Sequence, residues 1–154
     1  MDTIALIRPT VRHERRISLT AGPVAAATAR RQVRAAIYNW NIPVDPATAV
    51  LLTSELVTNA IRHEVSGTIR LVITCACGKF RVDVHDTSPA LPMPVETAPD
   101  AETGRGLMLV DTLSAEWGSY RTPAGKVVYF TLAFQPDLAE VGGRGPQGVH
   151  TWGR

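Results

Sequence analysis

The chain has 154 residues, a hydrophobic content of 45%, a charged content of 19% and a formal net charge of +2. This composition excludes a disordered chain and gives enough length for one domain with its own core, while the small charge neither favours nor excludes a polyanionic partner. Because no apolar run approaches membrane-spanning length and the N-terminus lacks a signal-peptide pattern, we expect a cytoplasmic protein without membrane contact.

The N-terminal part predicts an arm, a strand and a helix. Residues 1–14 carry little pattern and are expected to form a flexible arm, and residues 15–19 are typical of a short edge strand. Residues 24–40 are rich in alanine and arginine and have helical character. This helix carries a cluster of basic side chains that is either a solvated face or a docking surface for an acidic protein, namely Arg30, Arg31 and Arg34.

Residues 45–63 predict one long amphipathic helix. Asp45 can cap its N-terminus by accepting hydrogen bonds from the free amides of the first turn, and Pro46 suits the first helical position. Apolar residues at helical spacing form one broad side that would pack against a core: Val50, Leu52, Leu56, Val57, Ala60 and Ile61.

A polar stripe follows the edge of that apolar side. Glu55, Asn59 and Arg62 are spaced so that they lie above one another on the helix surface. This stripe is either a solvated polar face or part of a metal–nucleotide site. We expect Arg62 and the adjacent His63 to form a surface pair.

Two strand pairs are predicted after this helix. Residues 68–77 and 80–86 would form a hairpin across Gly78, with one covered face and one wet face. Residues 114–121 and 127–134 would form a second hairpin. Between the hairpins lie a long proline-rich loop and a short helix over residues 107–113, and loops of that length are usually functional or disordered.

The first hairpin contains two further signals. Cys75 and Cys77 would share the inner face, where they are poorly placed to bridge each other, so buried free thiols are expected. Asp86 also falls in the inner register at the end of its strand. A carboxylate in that position is costly unless it has a partner.

The order of elements indicates an α+β domain over residues 15–135. Strands that are adjacent in sequence, with the helices gathered together, favour a mixed, mostly antiparallel sheet with helices on one face in two layers. Residues 136–154 are rich in glycine and are expected to form a disordered tail.

Three separated motifs resemble those of the GHKL superfamily, which includes histidine-kinase catalytic domains, gyrase and heat-shock ATPases. The N box of that family resembles LLTSELVTNAIRH, its G1 box resembles VHDTSPALP, and its G2 box resembles TGRGLMLVDTLSAEWG. Within the superfamily, the chain is similar to bacterial anti-sigma-factor serine/threonine kinases and their regulatory relatives. The resemblance implies a Bergerat-type sandwich that binds ATP and Mg²⁺.

The resemblance implies a role for each motif. Asn59 would ligate Mg²⁺ through its side-chain oxygen, and Glu55 would accept the proton of an attacking hydroxyl. Asp86, which only accepts hydrogen bonds, would bind the exocyclic amino group of adenine. The phosphate-binding loop and the start of the next helix would comprise Gly104, Arg105, Gly106 and Leu107. Residues 88–103 would form a lid over the nucleotide.

The base-binding motif departs from the family pattern at two places. Ser88, which we include in the nucleotide site, stands where many relatives have a glycine. Val127 and Val128 occupy the region where some relatives place a threonine beside the aspartate.

The implied function is that of an ATP-dependent protein serine/threonine kinase. Such a kinase would phosphorylate an anti-anti-sigma-type protein and regulate transcription by partner switching, without direct contact to nucleic acid. The alternative is a non-catalytic module that sequesters a sigma factor or similar regulator, with ATP as a conformational ligand or absent. Relatives of this type often form homodimers.

Overall fold

The computed structural model describes residues 12–63, 67–88 and 108–136. Residues 108–113 are helical, and the other elements are β1 (His13–Thr20), α1 (Pro23–Asn39), α2 (Pro46–His63), β2 (Thr68–Ala76), β3 (Lys79–Asp86), β4 (Glu116–Thr122) and β5 (Gly125–Ala133). The predicted order of elements is confirmed. Among the described helices, none combines the length and the apolar composition that crossing a bilayer requires.

The strands form a five-stranded sheet in the order β1-β2-β3-β5-β4. Every neighbouring pair of described strands is antiparallel, so the sheet is more regular than the predicted mixed arrangement. Both long helices share one core with the inner residues of the sheet, which confirms the α+β sandwich with helices on one face. The predicted edge strand is β1, which begins at His13, inside the segment predicted as an arm.

The core lies between α2 and the central strands. Alternate residues of a strand point to the same face, and the inner positions of β2, β3 and β5 are accordingly buried. Most of the apolar side predicted for α2 belongs to this core, and the half-buried Ile61 packs against it. Val50 is buried but lies outside the core cluster. The largest fully buried apolar side chains of this core include Leu52, Leu56, Ile69, Leu71, Ile73, Phe80, Val82 and Phe130.

The turn between β2 and β3 differs from the prediction. Strand β2 ends at Ala76, and Cys77 and Gly78 form the turn with φ values of 52° and 76°. Positive φ at both central positions is the requirement of a type I′ two-residue hairpin turn. Cys75 is buried and Cys77 is exposed, both as free thiols. The expected burial of Cys77 is therefore wrong, because the strand ends one residue before it.

The basic cluster of α1 is divided between the helix contact and solvent. Arg30 is half-buried and donates a hydrogen bond to Ser54 Oγ of α2 at 2.9 Å. Arg31 and Arg34 are exposed. Arg30 therefore joins the two helices, while Arg31 and Arg34 lie at the surface, as both a solvated face and a docking surface require.

Helix α2 begins with the predicted cap. Asp45 Oδ2 accepts hydrogen bonds from the backbone amide of Thr48 at 3.2 Å and from its hydroxyl at 2.7 Å. The hydroxyl hydrogen bond is the largest cause of a lowered pKa for the Asp45 carboxyl group, and backbone amides of the first turn lower it further. Pro46 is the first helical residue, as the sequence predicts.

Replacing Asp45 with alanine is expected to lower the melting temperature at neutral pH and to have less effect in acid. The folded-state pKa lies below the ordinary value of 3.8, so the stabilisation is present above that value and disappears as pH falls through the folded pKa. Thermal unfolding followed by circular dichroism at about pH 7 and about pH 3 measures both losses. An Asp45→Asn variant, which keeps a capping oxygen without the charge, is the control. Equal losses for the alanine variant at both pH values would contradict the assignment.

Candidate functional site

Helix α2 places the predicted metal ligand in the interior. Asn59 is 4% exposed, and within the described part of the chain neither its Oδ1 nor its Nδ2 has a hydrogen-bond partner. Glu55 lies one turn earlier and is half-buried. A solvated polar face is therefore excluded for Asn59, although Arg62 on the same stripe is exposed.

The burial of Asn59 and its unpaired side-chain oxygen fit a magnesium ligand. Leaving a buried polar group unpaired costs about 1–3 kcal/mol, and native proteins rarely do so. The carboxamide oxygen is a hard ligand of the kind that Mg²⁺ accepts together with phosphate oxygens and water. No group of three or more His, Cys, Asp or Glu residues within the described ranges could hold a metal ion by itself.

The carboxylate at the end of β3 forms a buried ion pair. Lys126 Nζ donates to Asp86 Oδ2 at 2.7 Å, and both side chains have no exposed surface. The backbone amide of Ser88 donates to Asp86 Oδ1 at 2.8 Å. The sequence predicts that this core-side carboxylate needs a partner, and the structure supplies one from the chain itself.

Lys126, just before the two valines, is the β5 residue that lies beside Asp86. In the pairing of β3 with β5, Lys126 lies opposite Asp86, while Val127 and Val128 lie opposite His85 and Val84. The β5 residue paired with Asp86 is therefore Lys126, which precedes the two valines. Lys126 shares the inner register of β5 with Val128, so a lysine at an inner position was the signal that sequence reasoning missed.

Gly125 allows this close approach of the two strands. A Cβ atom at Gly125 would collide with the backbone carbonyl of Asp86 and would lie 2.5 Å from the Cα of Thr87. The absence of a side chain therefore brings the start of β5 against the end of β3. This contact sets Lys126 beside Asp86.

His63 belongs to the same interior region. It is the last residue of α2, and its Nδ1 atom is buried without a hydrogen-bond partner. Burial is the largest cause of a lowered pKa for His63; the charge of Lys126 lowers it further and that of Asp86 acts in the opposite direction. His63 is therefore half-buried and not the exposed member of a surface pair with Arg62, and the charges of the ion pair act on its ring.

The predicted G2 residues lie outside the described part of the chain. These are Gly104, Arg105, Gly106 and Leu107, together with the lid before them, and their roles stay predictions. The helical residues 108–113 follow directly, and Val110 is fully buried in the core. Trp117 Nε1 donates to Asp111 Oδ1 at 2.8 Å, which ties this helical segment to β4.

Comparison with known proteins gives one family and one relative. The sequence matches the histidine kinase-like ATPase domain family over residues 19–132. It is 33% identical over 93 residues to an uncharacterised protein of Streptomyces coelicolor, and the alignment covers 57% of this chain and 88% of that protein.

Two solved structures are similar to this chain to different degrees. The structure of the RsbU and RsbW domains of Rv1364c from Mycobacterium tuberculosis superposes with a TM-score of 0.60 at 24% identity, covering 80% of this chain and 33% of that one. This chain thus spans about a third of that protein. A histidine kinase domain from the blue-light-activated kinase of Erythrobacter litoralis gives a TM-score of 0.47 at 19% identity, covering 82% and 70% of the two chains.

The family match begins inside β1 and ends inside β5, so it includes both long helices, the ion pair and the orphaned carboxamide of Asn59. The architecture agrees with that match, since the helices cover one face of an open antiparallel sheet. The chain belongs to the histidine kinase-like ATPase domain family.

Proposed function

We propose that this chain binds ATP with Mg²⁺ and acts as an anti-sigma-factor-type protein serine/threonine kinase in the cytoplasm. Its substrate would be an anti-anti-sigma-type protein, and phosphorylation would regulate transcription by partner switching. The observation that carries the proposal is the buried carboxamide of Asn59, which lies one helical turn from Glu55 and has no hydrogen-bond partner among residues 12–63, 67–88 and 108–136. The motif resemblance to anti-sigma-factor kinases and the fold shared with an RsbW-containing structure support this class.

Two residues of α2 have separate roles in this proposal. Bound Mg²⁺·ATP supplies the phosphoryl group and the charge that offsets its negative oxygens. Asn59 holds the ion through its side-chain oxygen, and Glu55 accepts the proton of the serine or threonine hydroxyl. The half-buried position of Glu55 suits a group that must meet a protein substrate at the surface.

The base side of the proposed site centres on Asp86. An ionised carboxylate has about four lone-pair positions, and Lys126 and the Ser88 amide use one each. Asp86 therefore keeps acceptor capacity for the amino group of adenine. In this proposal, the loop at residues 104–107 binds the phosphates of the nucleotide.

The ion pair favours a second candidate function. Lys126 already gives Asp86 the donor that the adenine amino group would provide. This observation supports a non-catalytic module that sequesters a sigma factor or similar regulator, with ATP as a conformational ligand or absent. Homodimer formation is compatible with either function.

Phosphoryl transfer separates the two functions. The protein is incubated with Mg²⁺ and γ-labelled ATP beside purified anti-anti-sigma domains, and labelled residues are identified by mass spectrometry. For a kinase, Glu55→Gln should reduce transfer by about 10²–10⁴-fold, as expected for the loss of a general base, with ATP binding retained. Asn59→Ala should weaken binding of Mg²⁺·ATP, and the exposed Asn39→Ala should change neither measurement.

Each result points to one reading. ATP binding that depends on Asn59 without labelling of any partner would select the switching module. Equal Mg²⁺·ATP binding by the original protein and Asn59→Ala would contradict the metal-ligand role. Label transfer that persists in Glu55→Gln would contradict the role of Glu55 as a base.

A further inference from the structure

Lys126 has more hydrogen-bond donors than the surrounding protein uses. Its ammonium group carries three N–H bonds, and among the described residues one of them is used, toward Asp86 Oδ2. The side chain has no exposed surface, so water does not take the others. Because buried donors are normally paired, the remaining N–H groups call for an acceptor.

Other unpaired atoms collect in the same region. Both polar atoms of the Asn59 side chain and Nδ1 of His63 are buried without partners. His63 lies one turn after Asn59 on α2 and is electrostatically coupled to both members of the ion pair. A ligand that carries both donors and acceptors could satisfy these atoms near the end of α2 and the adjoining ends of β3 and β5.

The edge of a purine base has this character, and Lys126 changes which purines it can accept. A carboxylate alone favours the amino group of adenine, which donates hydrogen bonds. It repels the carbonyl oxygen of guanine, because the carboxylate and that oxygen are both acceptors. Asp86 beside Lys126 presents an acceptor and a donor together. Adenine offers its 6-amino donor and N1 acceptor, and a 6-oxopurine offers its O6 acceptor and N1–H donor, so the pair complements either order.

We propose that Lys126 makes the purine subsite accept 6-oxopurine nucleotides, so that GTP and ITP bind as well as ATP. This inference rests on the proposed nucleotide site and adds Lys126 as the residue that sets its base selectivity. Neither side chain has exposed surface, so a base reaches the pair only when the residues that cover it move aside.

Displacement of a fluorescent ATP analogue in the presence of Mg²⁺ tests the selectivity. In the original protein, GTP and ITP should displace the analogue within about tenfold of the ATP concentration, and CTP should be much weaker. In Lys126→Met, GTP and ITP should weaken by at least about tenfold more than ATP, since O6 would then face a carboxylate alone. The matched control is Lys79→Met at an exposed lysine, which should keep the original order.

The outcomes separate this inference from the proposed function. Displacement by ATP but not by GTP or ITP overturns the inference and leaves the nucleotide site in place. An equal loss of all three nucleotides in Lys126→Met also overturns it. If that variant does not fold, the nucleotide panel on the original protein decides the question. Failure of the analogue to bind at all refutes the nucleotide site and the inference together.

Discussion

Replacing Lys126 with methionine should destabilise the protein by about 3–5 kcal/mol, because it leaves the Asp86 carboxylate buried without its cation. Methionine has a similar length, so little of this loss comes from an empty cavity. Both side chains lack exposed surface, and water therefore cannot replace the lost partner. Urea denaturation at about pH 7 gives the free energy of unfolding.

Two variants show whether the unpaired charge causes the loss. Lys79→Met, at an exposed position, should change the free energy of unfolding by no more than about 0.5 kcal/mol. The double variant Asp86→Asn with Lys126→Met removes both charges and should recover much of the lost stability. A single Lys126→Met variant within about 1 kcal/mol of the original protein would contradict a tightly coupled buried pair.

Replacing Gly125 with alanine should cost about 3 kcal/mol or more, at the upper end of the range for overpacking. The added methyl group would collide with backbone atoms of Asp86 and Thr87. Backbone cannot rotate away as a side chain can, so the start of β5 must move from the end of β3. The same movement should separate Lys126 from Asp86, and urea denaturation measures the combined cost.

Gly118 provides a matched glycine in the neighbouring strand. A Cβ atom there would lie 2.9 Å from the hydroxyl oxygen of Tyr129, the far end of a half-buried side chain. Because that ring can shift, Gly118→Ala should cost less than about 1.5 kcal/mol. Similar losses for both alanine variants would show that the close backbone approach at Gly125 is not responsible.

Local patterns were sufficient to predict most of the fold. The cap at Asp45, the apolar side of α2 and the alternation in the hairpins depend on residues within a few positions of one another. Cys77 shows where this reasoning fails. The φ angles of the hairpin decide whether the last residues of a strand pair with the next strand or belong to the turn. The alternation of apolar and polar residues does not specify these angles.

The candidate site required information about tertiary contacts. The pair between Asp86 and Lys126 depends on the register of two strands that are distant in sequence. The burial of Asn59 and His63 depends on how α2 is rotated against the sheet, which the stripe spacing alone did not specify. Residue types identified the motifs, and their packing determined which polar atoms were left without partners.

The buried ion pair restricts how positions 86 and 126 can diverge during evolution. A lineage that loses either charge first passes through a protein with a desolvated ion of one sign. Descendants are therefore expected to keep both residues or to exchange both through a compensated double substitution, so that the two positions covary.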